Sequence, residues 1–155
     1  MIIEGTNFRY FDQGSNAVIF VDQDAGRAIK VFKTKGYPRD FIKTTFWSEE
    51  RAYQMAHRHP VLSRFVPRYH DRPKVGKILD PDGVDLTGEF FPNLSYEIDF
   101  VPRASFKKWL ETPVEVRREL EALFMEVGIR HYTDASVTLT PTTTVIDFAA
   151  TPPEF

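Results

Sequence analysis

Four positions carry the chemistry that this sequence could perform. Lys30 lies inside the apolar run Arg27-Ala28-Ile29-Lys30-Val31-Phe32, and Glu49 lies in Ser48-Glu49-Glu50. Asp134 follows Tyr132-Thr133, and Asp147 ends the β-branched run Thr144-Val145-Ile146. A lysine on a strand is a fixed cation for phosphate oxygens. Strands alternate their side chains, so Ala28 and Lys30 share one face, and Ile29 and Val31 share the other. A small residue beside a cation suits a planar ring lying next to a phosphate contact. Carboxylate oxygen is the ligand Mg²⁺ prefers, which makes Asp147 a candidate metal ligand. Glu49 stands four residues before Tyr53, beside an apolar helical stripe, from which it can reach into a cleft. Upstream, Asp12-Gln13-Gly14-Ser15-Asn16 makes a tight turn, where backbone can approach phosphate oxygens that side chains would block. Each feature has a plain counterpart: a hairpin turn, a solvated lysine, an exposed helical glutamate, a turn aspartate.

The elements that must position these residues can be read from periodicity and turn residues. Phe8 to Phe11, Ala17 to Asp22 and Arg27 to Phe32 read as three strands of an antiparallel meander. Pro38 and Asp40 open a helix to about His57, with Phe41, Thr45, Ser48, Ala52 and Met55 expected on one face and Phe46, Glu49 and Tyr53 beside it. Val61 to Tyr69 is irregular and ends in a strand; Asp80-Pro81-Asp82-Gly83 is a turn; Leu94 to Val101 is a strand. Ser105 to Leu110 is expected as a short helix. Thr112-Pro113-Val114-Glu115 has the form of a capping box, opening a helix that Gly128 stops after Val127. Its apolar stripe is Val116, Leu120, Leu123, Phe124 and Val127. Val137 to Thr140 and Thr144 to Phe148 are short β segments. The expected class is α+β in two lobes.

Other chemistry finds less support. His57-Arg58-His59 is half of a metal site with no third ligand placed, and reads as solvent-exposed helix-end histidines. Lys107-Lys108 and Arg117-Arg118 read as solvated helix faces. Trp47 and Trp109 read as packing residues. Ser105, Ser136 and the histidines show no nucleophile–base spacing, and a G-x-S-x-G elbow is absent.

Taken in order, the glycine turn, Ala28-Ile29-Lys30, the helical Glu49 and Ile146-Asp147-Phe148 resemble the protein-kinase-like superfamily over about residues 8–149. The turn and strand together resemble the short effector kinases that bacterial pathogens deliver into host cells. They too have a degenerate glycine loop and a reduced C-lobe. The resemblance implies a two-lobed kinase-like fold: an antiparallel N-lobe sheet with one helix over 1–101, and a reduced, helical C-lobe over 102–155. It also implies ATP and Mg²⁺ as cofactors. Lys30 would contact the α/β-phosphates, Glu49 would pair with Lys30, and Gly14 and Ser15 would belong to the phosphate turn. Ile19 and Ala28 would cover the adenine, the backbone of Asp99 and Val101 would form the hinge, and Asp147 would bind Mg²⁺.

The catalytic loop departs from the pattern. With Tyr132 in the first position, Asp134 is the catalytic base and Leu139 falls where asparagine is expected. With His131 first, Thr133 and Thr138 replace the aspartate and the asparagine. In a shortened loop, Ser136 takes the second metal position. A hydroxyl is a poorer Mg²⁺ ligand than an amide carbonyl. Two functions are therefore expected: a small ATP-dependent phosphotransferase acting on a protein or small-molecule hydroxyl, and a pseudokinase that binds or inhibits a protein partner without transfer.

Composition bounds both. The chain has 155 residues, 42% hydrophobic and 14% aromatic, enough for a core at this length. A net charge of −2 gives no long-range attraction to nucleic acid or anionic membrane. There is no cysteine, which excludes disulfides and thiolate metal sites. The N-terminal residues do not form a signal peptide and no apolar stretch approaches a membrane span. The expected setting is the cytoplasm, or a host cell reached without a cleaved signal.

Overall fold

The computed structural model of the chain describes residues 1–102 and 105–152. It is α+β, with one seven-stranded sheet, one three-stranded sheet and two α-helices. By contacts the chain divides into two units. The first is Met1–Phe46 with His70–Phe100, and the second is Trp47–Tyr69 with Val101–Phe155.

The first unit holds the large sheet. Its strands are β1 (Ile2–Ile3), β2 (Arg9–Gln13), β3 (Ala17–Asp22), β4 (Arg27–Lys33), β5 (Tyr69–Asp71), β6 (Ile78–Leu79) and β7 (Phe90–Asp99). Their spatial order is β5-β7-β4-β3-β2-β1-β6. The expected meander is β2, β3 and β4, antiparallel throughout, and β7 pairs antiparallel with β4. β7 starts four residues earlier than its apolar run suggested. β1 and β6 are too short for sequence periodicity to reveal, and each pairs over two residues. One face of this sheet forms a core of Ile3, Val18, Phe20, Ile29, Val31, Ile78 and Phe90. This is the Ile29/Val31 face, opposite Lys30. The Asp80 turn forms as expected: the Gly83 amide bonds the Asp80 carbonyl at 3.0 Å, with Gly83 at φ +84°.

Helix α1 spans Arg39–His57, close to expectation, but its buried face is rotated. Ile42, Phe46, Glu49, Glu50, Ala52, Tyr53 and Ala56 are buried, whereas Phe41, Thr45 and Ser48 are only half-buried. Two glutamates thus lie in the middle of the buried stripe. Apolar periodicity missed the true face because it scored them as polar. In the first unit, Phe46 meets Phe32 edge-on at 6.0 Å and lies 6.2 Å from Tyr96.

The second unit is built around α2 (Val114–Val127) and a sheet of order β10-β9-β8. These strands are β8 (Lys107–Lys108), β9 (Ser136–Thr138) and β10 (Thr144–Ile146). The helix expected over Ser105 to Leu110 is replaced by edge strand β8 and a 3-10 turn at Trp109–Glu111. Pairing of Lys107 and Lys108 with Val137 and Ser136 outweighs the weak local helical signal. The capping box does not form either. Pro113 stands at the cap with no side-chain bond, and the Thr112 hydroxyl donates to the Lys108 carbonyl at 3.2 Å. Gly128 ends α2 as expected, in the left-handed region at φ 86°. Trp109, Phe124, Tyr132 and Phe148 form a continuous aromatic core. Trp47, expected to pack, is instead 48% exposed.

The helix-end histidines are half-buried structural residues, not solvated ones. His57 Nε2 lies 2.8 Å from the Pro67 carbonyl and accepts the Tyr69 amide at 3.2 Å in its other tautomer. His59 Nδ1 accepts the amides of Val61 and Leu62, holding the 3-10 turn Leu62–Phe65, and its Nε2 meets Glu126 at 3.2 Å.

Candidate functional site

In the first unit the candidate residues gather on the face opposite the Ile29/Val31 core. β4 pairs Lys30 with Ile19 on β3 and with Tyr96 on β7. Ala28 pairs with Val21 and Ile98, two positions along the same face. The structure therefore brings Ile19, Ala28 and Lys30 together as a patch with apolar walls and one cation. Ala28 is buried, while Ile19 and Lys30 are half-buried. The Lys30 ammonium lies 5.2 Å from the Phe32 ring centroid. The Arg72 guanidinium lies 5.1 Å from the Phe46 centroid. Because Phe32 and Phe46 pack edge to face, two cations flank one aromatic pair. Sequence reading missed Arg72, which follows a segment read only as irregular. Its one local signal is Asp71, a non-glycine residue at φ 90° whose side chain accepts the Arg72 amide at 2.8 Å.

Gly14 and Ser15 occupy the exposed β2–β3 turn, where the Gly14 amide bonds the Ala17 carbonyl at 2.9 Å. Gly14 has no positive φ, and a Cβ there would meet nothing within 4 Å. No neighbouring protein atom therefore calls for a glycine here. The lysine that reaches the turn is Lys33, whose ammonium donates to the Gly14 carbonyl at 3.0 Å.

Asp99 closes β7 opposite Arg27. Its carboxylate bonds His70 Nε2 at 2.5 Å and lies 4.0 Å from Arg27 Nε, while Arg27 also pairs with Glu97. The Asp99 side chain thus belongs to a charged cluster on the first unit's sheet. Val101, the other hinge candidate, is a half-buried residue outside regular structure at the start of the second unit's later segment.

In the second unit Glu49, Tyr53 and Asp147 come together. Tyr53 is buried, and its phenol pKa is raised well above the ordinary 10.0. Burial is the main cause, followed by the charges of Asp147 and Glu49; a hydrogen bond from the Asp147 amide opposes them. The same Tyr53 ring lies 4.8 Å from Phe148. Tyr53 therefore grips the backbone at Asp147 and the ring of the next residue. Asp147 itself is at φ 61°, the left-handed region, and remains solvent-exposed. Non-glycine residues held there gather at functional sites, and aspartate tolerates the conformation better than most. Next to this group Glu50, also buried, accepts the Tyr69 hydroxyl at 2.5 Å. Glu49 was expected to reach inward from beside the apolar stripe, whereas burial of Glu50 was not expected.

The raised Tyr53 pKa has a pH consequence. The folded state favours the neutral phenol, so stability from this group is complete below pH 10 and declines as pH rises beyond it. Denaturant melts between pH 8 and 11 should show a steeper alkaline loss for the wild type than for Tyr53→Phe. Parallel curves would mean that the folded state does not hold the Tyr53 phenol neutral.

Asp134 and Ser136 stand apart from that group's hydrogen bonding. Tyr132 to Ala135 is a turn closed by the Ala135 amide on the Tyr132 carbonyl at 2.9 Å, with Asp134 at its corner. The Asp134 side chain is 79% exposed and meets His131 Nε2 at 3.2 Å. His131 is anchored by a two-way backbone bridge to Ala149. Ser136 pairs with Ile146, one residue short of Asp147. Thr138 is buried, and its hydroxyl donates to the Thr140 carbonyl at 2.9 Å and accepts the amides of Thr140 and Ser105.

Among the described residues no group of three His, Cys, Asp or Glu side chains is arranged to hold a metal. Mg²⁺ commonly uses one or two carboxylates and completes its shell with water and substrate phosphates. Asp147, exposed on a pinned backbone, fits that limited demand. Among the described residues no helix is long and apolar enough to cross a membrane. Comparison of the sequence with protein-family models and with curated proteins finds no match.

Proposed function

We propose that this protein binds ATP with Mg²⁺, as a reduced member of the protein-kinase-like superfamily with two lobes. The observation that carries this reading is the Lys30 face: a half-buried lysine, Ile19 and Ala28 beside it, and Arg72 over the adjoining aromatic pair. Ile19 and Ala28 supply apolar cover for a planar base. Lys30 and Arg72 supply positive charge for phosphate, and such oriented charge is the main instrument of phosphoryl chemistry. Asp147 is the carboxylate for Mg²⁺, and Glu49 keeps the role that the resemblance gives it. Bound Mg²⁺ would neutralise phosphate charge.

A second reading, the pseudokinase that serves a protein partner, is favoured by one specific observation. In the register that starts at His131, Thr138 stands at the second metal position, and its hydroxyl is engaged by backbone groups on both sides, so it offers no lone pair to a metal there. Asp134 decides between the two. As a base it would accept the proton of an acceptor hydroxyl, and it would matter mainly in the transition state. Asp134→Ala should then lower phosphotransfer by about a hundredfold or more while leaving ATP affinity unchanged. Autophosphorylation with labelled ATP, set beside ATP binding, separates the cases. Equal transfer by both proteins would remove Asp134 from the chemistry. No transfer by either, with ATP still bound, would establish the binding protein.

A further inference from the structure

The outward face of α2 has a pattern that the nucleotide reading does not use. Val114, Arg118, Glu121 and Met125 recur at spacings of four, three and four residues, which is one seam along a helix. All four are exposed: Val114 by 40% and Met125 by 67%. They border a groove of about 400 Å³ against the buried Trp109, with Ala122 beside them. The inward stripe of α2, Leu120 and Phe124, is already buried. The helix thus carries a second stripe, apolar at both ends and charged in the middle.

The order of residues along this stripe is complementary to its own reverse: apolar ends match apolar ends, and the central charges are opposite in sign. About its midpoint, Val114 mirrors Met125 and Arg118 mirrors Glu121. A two-fold interface demands this property, because residue i must meet residue j while j meets i. In an antiparallel helix pair, Val114 of one copy would meet Met125 of the other at both ends. Arg118 would meet Glu121 twice in the centre. A parallel pair would set Arg118 against Arg118 and is disfavoured. We propose that α2 is a homodimerisation helix, which takes a second copy of this chain in antiparallel register. Met125 of each copy fills the groove over Trp109 of the other.

Local chemistry agrees with this register. Burial raises the Tyr132 pKa, and the charge of the neighbouring Glu121 raises it further, which places this carboxylate beside Tyr132. A carboxylate accepts more than one hydrogen bond, so Glu121 can also meet Arg118. Arg117 is tied down by its Nε, which donates to the Thr112 carbonyl at 3.1 Å, leaving Arg118 as the cation of the seam. A helix of 14 residues is about 21 Å long, so the seam is short. It falls below the area of a standard stable interface, about 1,600 Å² in total. The dimer is therefore weak, dependent on concentration, and weakened by salt.

Sedimentation equilibrium over a concentration series, at low and high salt, tests the proposal. The wild type should show a monomer–dimer equilibrium. Arg118→Glu and Glu121→Arg should each weaken it by roughly tenfold or more, because each swap turns two attractive contacts into two repulsive ones. The double variant Arg118→Glu/Glu121→Arg should restore it, since both copies exchange charges together. Thermal melts of each variant check that the exposed substitutions leave the fold intact. A wild type that is monomeric at every concentration would overturn the proposal, as would a dimer indifferent to the single swaps. Loss in both single variants without recovery in the double would also overturn it, because the face would then serve a different partner.

Discussion

Lys30→Ala should remove most of the stabilisation of this protein by ATP with Mg²⁺, and Asp147→Ala should remove the part that depends on the metal. For the wild type, ligand at a hundred times its dissociation constant should add about 2.7 kcal/mol of stability. In a chain of this size that raises the melting temperature by roughly 5–10 °C. Lys30→Ala should melt close to its own unliganded state with or without Mg²⁺, and Asp147→Ala should show only the smaller shift that ATP gives without metal. The reasons differ. Lys30 supplies charge on the β4 face between Ile19 and Tyr96, so its loss weakens the phosphate contact with or without metal. Asp147 is the proposed Mg²⁺ ligand, so Asp147→Ala should leave metal-free nucleotide binding untouched. Arg72→Ala is an informative companion. Its guanidinium lies over Phe46, on the aromatic pair that Lys30 also flanks, and its loss should reduce the shift without eliminating it. A full shift in Lys30→Ala would mean that nucleotide binds elsewhere.

The second large effect concerns the aromatic core of the second unit. Phe124 is fully buried, stacked 5.4 Å from Tyr132, 5.2 Å from Phe148 and 6.4 Å from Trp109. Phe124→Ala should destabilise the protein by about 3–5 kcal/mol, through lost transfer energy and the cavity left among three rings. That is a large share of the roughly 5–15 kcal/mol that holds a typical domain together. Denaturant titration should show a lower midpoint with an unchanged slope. A reduced slope would mean that the variant loses cooperativity. Because Phe148 directly follows Asp147, the Mg²⁺-dependent part of nucleotide binding should weaken as well. A loss below about 1 kcal/mol would mean the cluster repacks, and that it does not rigidly support Asp147.

Legibility followed physical scale. The meander of β2, β3 and β4 could be read because apolar alternation and turn residues agreed over more than twenty positions. The shared face of Ala28 and Lys30 followed from the period of two and holds in the paired registers. Helix α2 and its Gly128 stop were legible for the same reason: a long periodic run ending at a glycine. What escaped depended on contacts distant in sequence. β8 is a strand only because β9 pairs with it, and β1 exists through β2 and β6. The α1 face was misplaced because buried glutamates look polar in sequence. Only the structure shows the Tyr69 hydroxyl on Glu50, and Glu49 beside Tyr53. The left-handed backbone of Asp147 has no sequence signature, since aspartate there reads equally as an ordinary turn. Arg72 was invisible because its partner ring, Phe46, is 26 positions away. At Gly14 no neighbouring protein atom calls for a glycine, so its choice rests on the phosphate approach read from the sequence.

Calorimetric titration of ATP into the wild-type protein, with and without Mg²⁺, tests the central proposal most directly. The account predicts a single saturable site, tighter when Mg²⁺ is present, with the metal-dependent gain lost in Asp147→Ala and binding in both conditions weakened in Lys30→Ala. Absence of binding at millimolar ATP with Mg²⁺, from protein shown to be folded, would contradict it.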